Sequence, residues 1–198
     1  MKRYLIIFLL FMSVILTFSG CGKTYEFPLK PVDDSLTYPS NNQIWYTSSD
    51  GQVIEMDAHR FSVAVPLTNH YKDGKGVITF DKDVTEIGEW AFGYTLLTSI
   101  IIPESVTQIG DCAFWGCENL TNITIPKSVT QIGDYAFGGC YNLTTIYCKA
   151  ITPPTLDGDI FKFSNNVSKI YVPKESVRDY KNDTNWSKYA SSIVGYDF

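Results

Sequence analysis

A strand-rich α/β solenoid, with a β-hairpin cap at its N-terminal end and a helical cap at its C-terminal end, is the fold class this sequence predicts. Three observations carry the prediction. The segment Ile102–Ile123 recurs as Ile125–Ile146 at an offset of 23 residues, with 17 of 22 positions identical. A looser copy precedes it through Phe80, Val84 to Gly88, Ala91-Phe92, Leu97-Thr98 and Ile100. Within a copy, Ile123 and Ile125 alternate with Thr124, so an extended segment sends both isoleucines to one face. A unit of this kind has an apolar interior with nothing beneath it. Only stacking its neighbours buries Phe92, Phe114 and Phe137 against one another.

The period, in the range of roughly 20–29 residues, together with L-x-x-I-x-I spacing is the signature of a leucine-rich-repeat solenoid. Strand pairing is expected to fade at Pro103, Pro126 and Pro173, which lack a backbone donor. Val129 and Ile132 then point inward. Gly133, like Gly88 and Gly110, reads as a sharp reversal at positive φ. Asp134, like Glu89 and Asp111, reads as the start of a short helical turn whose free N–H groups its carboxylate accepts.

In chain order, Lys2 and Arg3 precede a 14-residue apolar run, Leu5–Phe18. That is too short for an ordinary span of about 20 residues and has the layout of a secretory signal, assigned to residues 1–20. The text Phe18-Ser19-Gly20-Cys21 resembles the bacterial lipobox, with Phe18 where leucine is usual, and implies lipidation at Cys21. Residues 21–40, with Pro28, Pro31 and Pro39 and no periodicity, read as the lipidated cysteine and an extended tether. Residues 41–198 read as one solenoid, with an N-terminal cap over 41–76, repeats over 77–172 and a C-terminal cap over 173–198. In the first cap Ile44–Thr47 and Gln52–Met56 flank Ser48-Ser49-Asp50-Gly51, a hairpin signal. Strands are expected near Val77–Phe80, Ser99–Ile102, Asn122–Ile125, Thr145–Cys148 and Lys169–Val172. The fourth repeat reads as degenerate, because Pro153 and Pro154 remove two donors. Val177, Tyr180, Trp186, Tyr189, Ala190 and Ile193 give the final segment an amphipathic pattern, broken at Asn182–Asn185.

The unit S-V-T-x-I-G-x-x-A-F-x-G-C-x-N-L, matched over residues 78–148, resembles the BspA-type (Treponema-type) leucine-rich repeats of bacterial surface proteins. The flanking texts Ile44-Trp45-Tyr46-Thr47 and Trp186-Ser187-Lys188-Tyr189-Ala190 resemble those of small secreted members. The resemblance implies adhesion to host proteins or to other cells, and it supplies no catalytic residues to transfer.

Chemistry along the chain is sparse. Removing Lys2 and Arg3 with the leader leaves 14 basic against 21 acidic side chains, a net of −7. Nucleic acid is therefore not an expected partner, since phosphate binding needs clustered Lys and Arg. His59 and His70 are the only histidines and sit in no metal-ligand spacing. No catalytic residue, metal site or cofactor is expected. Cys117 and Cys140 occupy equivalent positions and Cys148 takes the inward place of Ile125, all three reading as buried thiols, although the exported compartment permits disulfides. Cys112 stands where other copies have Trp90 and Tyr135, open to solvent. Asn119 and Asn142 read as bonding backbone groups between repeats.

The expected function is that of a non-enzymatic, lipid-anchored protein of the bacterial cell envelope, placed at the outer membrane and presenting its solenoid to a protein ligand on a host or neighbouring cell. A glycan-binding accessory protein, favoured by 15% aromatic content, and a purely structural envelope component are the alternatives. If the isoleucines of successive strands point inward, Thr79, Ile101, Thr124, Tyr147 and Tyr171 form one outward ladder, and this is the expected ligand face. The turn side is the competing surface, where the best two repeats differ at Glu104/Lys127, Trp115/Gly138 and Glu118/Tyr141.

Overall fold

Two sheets take up the repeating text alternately. The computed structural model describes residues 38–198; the segments read as signal peptide (1–20), lipidated Cys21 and tether up to residue 37 lie outside the described residues. In chain order the strands are β1 (Gln43–Ser48), β2 (Pro66–Lys72), β3 (Lys75–Phe80), β4 (Glu86–Ile87), β5 (Leu97–Ile101), β6 (Gln108–Ile109), β7 (Asn122–Ile125), β8 (Gln131–Ile132), β9 (Thr145–Cys148), β10 (Thr155–Leu156), β11 (Lys169–Pro173) and β12 (Ile193–Tyr196). The larger sheet has eight strands in the order β12-β11-β9-β7-β5-β1-β3-β2, and the smaller has four in the order β10-β8-β6-β4. From β4 to β11 successive strands alternate between the sheets, and their pairings are parallel. The repeat period sets the register, with Ile123 opposite Ile146 in one sheet and Gln108 opposite Gln131 in the other.

Inward residues of both sheets meet in one core. Phe92, Phe114, Phe137 and Phe161 stack ring on ring at 5.4, 5.5 and 5.8 Å. Phe61 closes the first end of this column edge-on to Phe92 at 5.6 Å. Phe161 brings the fourth repeat back into pattern. Its Thr155 N–H donates to Thr130 O at 2.9 Å, as Thr130 N–H donates to Thr107 O at 2.8 Å. The adjacent prolines therefore do not break the repeat: Pro154 falls in register with Val129, whose N–H serves only a local bond to Pro126 O.

The glycines that recur from repeat to repeat work differently from the expectation. Gly88, Gly110 and Gly133 do not take positive φ. A Cβ on Gly110 would lie 2.8 Å from Glu89 N, and one on Gly88 or Gly133 would be closer still to Arg60 O or Asp111 N. Glycine here lets one repeat's backbone lie against the next, and each N–H reaches the preceding repeat, Gly133 to Ile109 O and Gly110 to Ile87 O at 2.7 Å. No helix follows Asp134. Asp111 Oδ1 instead accepts the Asp134 N–H at 2.8 Å and Asp134 Oδ1 the Asp159 N–H at 2.9 Å, so these carboxylates tie repeat to repeat. Asn142 and Asn166 do the same with the carbonyls of Glu118 and Tyr141.

Three residues beyond each core phenylalanine stands a small donor: Thr95, Cys117, Cys140 or Ser164. Cys117 and Cys140 are buried and donate to Phe92 O and Phe114 O at 3.1 Å, and Ser164 donates to Phe137 O at 2.7 Å. The thiols fill space and also satisfy a carbonyl of the preceding repeat. Cys148 is buried against the Tyr180 hydroxyl at 3.2 Å.

The N-terminal hairpin is displaced from its expected place. After Gly51 the chain leaves the sheet, and Gln52–Met56 forms no strand. Both edges of β1 are already taken, by β3 on one side and β5 on the other, both antiparallel, so no edge remains for a local partner. The hairpin forms instead between β2 and β3, where Asp73 (φ 52°) and Gly74 (φ 80°) supply the two positive values that a tight turn needs. Tyr46 explains the commitment of β1. Its buried ring lies over Gly76, and its hydroxyl donates to Asn69 Oδ1 at 2.7 Å while accepting the Ile54 N–H at 3.3 Å.

The C-terminal segment has one short helix, α1 (Val177–Asn182), a 3-10 turn at Ser187–Tyr189, and then a strand where Ile193 had been read as helical. β12 pairs parallel with β11, placing Ile193 opposite Ile170 and covering the last sheet edge. Asp183 marks the break between the turns, its Oδ1 accepting the N–H groups of Asn185 and Trp186. Tyr180 and Trp186 are fully buried, and their polar tips bond Ala150 O at 2.8 Å and Pro154 O at 2.7 Å.

Candidate functional site

Strand alternation places the outward face of the large sheet, and the pairing fixes who neighbours whom. Ile101 lies opposite Thr124, Thr124 opposite Tyr147, and Tyr147 opposite Tyr171, so four of the five expected residues form one row. Thr79 does not join it. β1 intervenes between β3 and β5, and the residue beside Ile101 is Trp45, followed by Val77; Thr79 faces Gln43, one step off the row. The sequence reading missed Trp45 because it placed β1 in a local hairpin outside the repeat sheet. The signal was present in the alternation of Ile44, Tyr46 and Ser48 inward with Trp45 and Thr47 outward.

The row carries aromatic residues towards both ends, Trp45 on one side and Tyr147 with Tyr171 on the other. Tyr147 and Tyr171 stack at 5.1 Å with planes 14° apart. Tyr196 of β12 packs on both, at 5.2 Å from Tyr171 and 5.8 Å from Tyr147, and Phe198 extends the group at 5.0 Å from Tyr196. The four rings make a continuous patch, with Tyr147, Tyr171 and Tyr196 standing on three parallel strands and Phe198 just beyond the last. Burial among these neighbours raises the Tyr147 hydroxyl pKa, with the nearby Tyr171 and Tyr196 adding to it. At the other end the Lys75 ammonium lies 2.9 Å from the centre of the Trp45 ring, and burial holds its pKa below the usual value.

The turn side gathers a second aromatic group around Trp115. Its indole N–H donates to the Tyr94 hydroxyl at 3.1 Å, and its ring packs on Trp90 at 6.1 Å, Tyr135 at 5.7 Å and Phe163 at 6.1 Å. Of these, Trp115 is the one that the sequence offers as part of a competing ligand surface, while Trp90 and Tyr135 enter the sequence reading only as the solvent-facing counterparts of Cys112. Trp90, Tyr94, Tyr135 and Phe163 all have positive φ, between 56° and 63°. Left-handed backbone at a non-glycine residue costs about 1–2 kcal/mol, and the repeats carry it at four aromatic positions.

His59 and His70 are both exposed. Among the described residues no group of three or more His, Cys, Asp or Glu side chains could hold a metal ion. Either aromatic surface can supply contact area, stacking and hydroxyl bonds.

No curated protein matches the chain. A family model, the BspA type leucine rich repeat region, matches residues 75–187 in six copies. That span covers more than half of the sequence and contains all the strands that alternate between the two sheets, and on this ground the chain belongs to the BspA-type leucine-rich repeat family.

Proposed function

We propose that this protein is a lipid-anchored component of the bacterial cell envelope whose repeat solenoid presents the outer face of its large sheet to a protein ligand, as a non-enzymatic binding or adhesive module. The tyrosine patch carries the reading. Tyr147, Tyr171 and Tyr196 lie ring against ring on neighbouring strands. Large rings with a polar tip, immobilised before binding, lose little entropy on contact and concentrate binding energy. Membership in a repeat family supports a protein ligand, and the lipobox-like Phe18-Ser19-Gly20-Cys21 supports the anchor.

The test has two arms. Mass spectrometry of the processed protein is expected to find Cys21 as the first residue, carrying lipid, and protease added to intact cells is expected to digest the repeat region. Arrays of host proteins and of glycans are then probed with wild type and with Tyr147→Ala/Tyr171→Ala. A protein ligand whose affinity falls by at least about 1 kcal/mol in the variant, at unchanged melting temperature, is the expected result. A ligand found only on the glycan array, or one indifferent to both tyrosines, would remove this site.

A further inference from the structure

The Trp115 group is built as a shelf. A Cβ on Gly93 would lie 2.7 Å from the Trp90 ring, and one on Gly116 would lie 2.7 Å from the Tyr94 ring. A Cβ on Gly138 would run into the Trp115 ring more closely still. Three rings therefore rest on glycine backbone by one side; Trp90 and Trp115 are half-buried, Trp90 stacks with Tyr94 at 5.8 Å, and Tyr94 is 69% exposed. Phe163 and Tyr135 continue the exposed surface on the far side of Trp115.

One border of the shelf is acidic. Glu89, Asp111 and Asp134 each precede a residue of the row Trp90, Cys112 and Tyr135, one per repeat. Asp111 and Asp134 each use only Oδ1, to hold the next repeat, and among the described residues neither forms an ion pair. Glu89 is approached by Arg60 at 3.7 Å. The Trp90 N–H donates to Asp111 O at 3.1 Å and the Cys112 N–H to Asp134 O at 2.9 Å, so the three acidic positions lie on adjoining backbone, and the Cys112 thiol is raised in pKa by burial and then by the charges of Asp111, Asp134 and Glu89. A groove of about 240 Å³ runs beside Glu89 and Asp111, lined further by Glu86, Gln108, Gln131 and Asp157.

Flat rings bordered by carboxylates, those of Asp111 and Asp134 without an ion pair among the described residues, suit a cation that can lie on a ring and face a charge at once, and guanidinium does both. The chain already holds one cation against this surface, with Lys162 Nζ 5.5 Å from the centre of the Phe163 ring. A neutral sugar could stack on the same rings but would leave the carboxylates without a countercharge. We propose that the shelf of Trp90, Tyr94 and Trp115, with its border of Glu89, Asp111 and Asp134, docks a basic, arginine-bearing segment of another protein. It is a second surface, made from residues outside the tyrosine row, and it stands or falls independently of that row.

The experiment uses the purified full-length protein and a labelled alternating arginine–glycine peptide, followed by fluorescence anisotropy, beside a glutamate–glycine peptide and a neutral β-glucan oligosaccharide. The arginine peptide alone is expected to bind. Asp111→Asn/Asp134→Asn keeps the Oδ1 acceptor of both positions while removing two charges, and is expected to weaken binding about tenfold or more, as is Trp115→Ala. Asp83→Asn/Glu175→Gln removes as much charge elsewhere, and Tyr147→Ala/Tyr171→Ala alters the sheet face; both are expected to stay within about twofold of wild type. Equal weakening by the two charge-removing pairs would reduce the effect to bulk acidity and overturn the proposal, as would binding of the oligosaccharide alone or indifference to the shelf variants. Should Trp115→Ala fail to fold, the comparison between the two charge-removing pairs decides.

Discussion

An alanine at Gly133 would drive a methyl group into the Asp111 backbone nitrogen, whereas one at Gly139, where φ is 66°, would meet nothing nearer than 3.5 Å. The first substitution sets repeat against repeat and is expected to cost about 2–3 kcal/mol or more, as overpacking does. The second meets only left-handed strain, about 1–2 kcal/mol. Urea unfolding should therefore rank Gly133→Ala as the more damaging, and the opposite ranking would show that the neighbouring repeat gives way easily. The repeat made it legible that a glycine is wanted at Gly133, but a one-letter pattern does not distinguish a need for positive φ from a need for close approach. The same holds for the cysteines, whose burial was legible while their donation to Phe92 O and Phe114 O was not. Burial raises the thiol pKa of Cys117 and Cys148 to about 11, from an ordinary value of 9.0. A neutral acid whose folded pKa lies above its unfolded one stabilises fully below the unfolded value, and that stability is lost as pH climbs through the folded value. Melting temperature is thus expected to fall between pH 9 and about pH 11. Cys117→Ser, with a hydroxyl donor like that of Ser164, should flatten part of the decline; an unchanged profile would place the alkaline sensitivity elsewhere.

Among the elements, β7, β9 and β11 were legible because alternation and the repeat offset agree at Asn122–Ile125, Thr145–Cys148 and Lys169–Pro173, with a closing proline besides at β7 and β11. The small-sheet strands were not, since two residues such as Gln131–Ile132 show no alternation and owe their geometry to parallel neighbours on either side. β1 was legible as a strand but not in its pairing. Its partners β3 and β5 are chosen by where Tyr46 is buried, a tertiary fact. The same applies to the candidate site, where four members of the tyrosine row follow from alternation while Trp45 enters through the long-range pairing of β1. At the C-terminal end, Tyr180 and Trp186 bond carbonyls of the fourth repeat across 30 and 32 residues of sequence. Tyr180→Phe keeps the ring and removes one buried donor, so a loss of about 1–2 kcal/mol is expected. Trp186→Ala also opens a cavity and should cost about 3–5 kcal/mol. Chemical denaturation of the two variants checks the order, and similar losses would mean that the hydroxyl of Tyr180 holds the cap as much as the bulk of Trp186 does.

For the whole molecule, the column Phe61, Phe92, Phe114, Phe137, Phe161 decides how it unfolds, because each ring has its main partners in the adjoining repeats. A repeat removed from the column exposes the rings on both sides, so nearest-neighbour coupling is strong compared with the stability of any one repeat. Phe114 stands in the middle. Its replacement by alanine is expected to cost about 3–5 kcal/mol, a large share of the roughly 5–15 kcal/mol that a domain has in total. Trp45 on β1 and Trp186 beyond α1 report on the two ends of the described chain. Variants that keep only one of these tryptophans as the fluorophore should show coincident urea transitions if the repeats unfold together. Phe114→Ala would then lower both midpoints equally. Should the Trp45 and Trp186 transitions separate, the protein would instead consist of two stability units divided near Phe114, and the damage from that substitution would be confined to one of them.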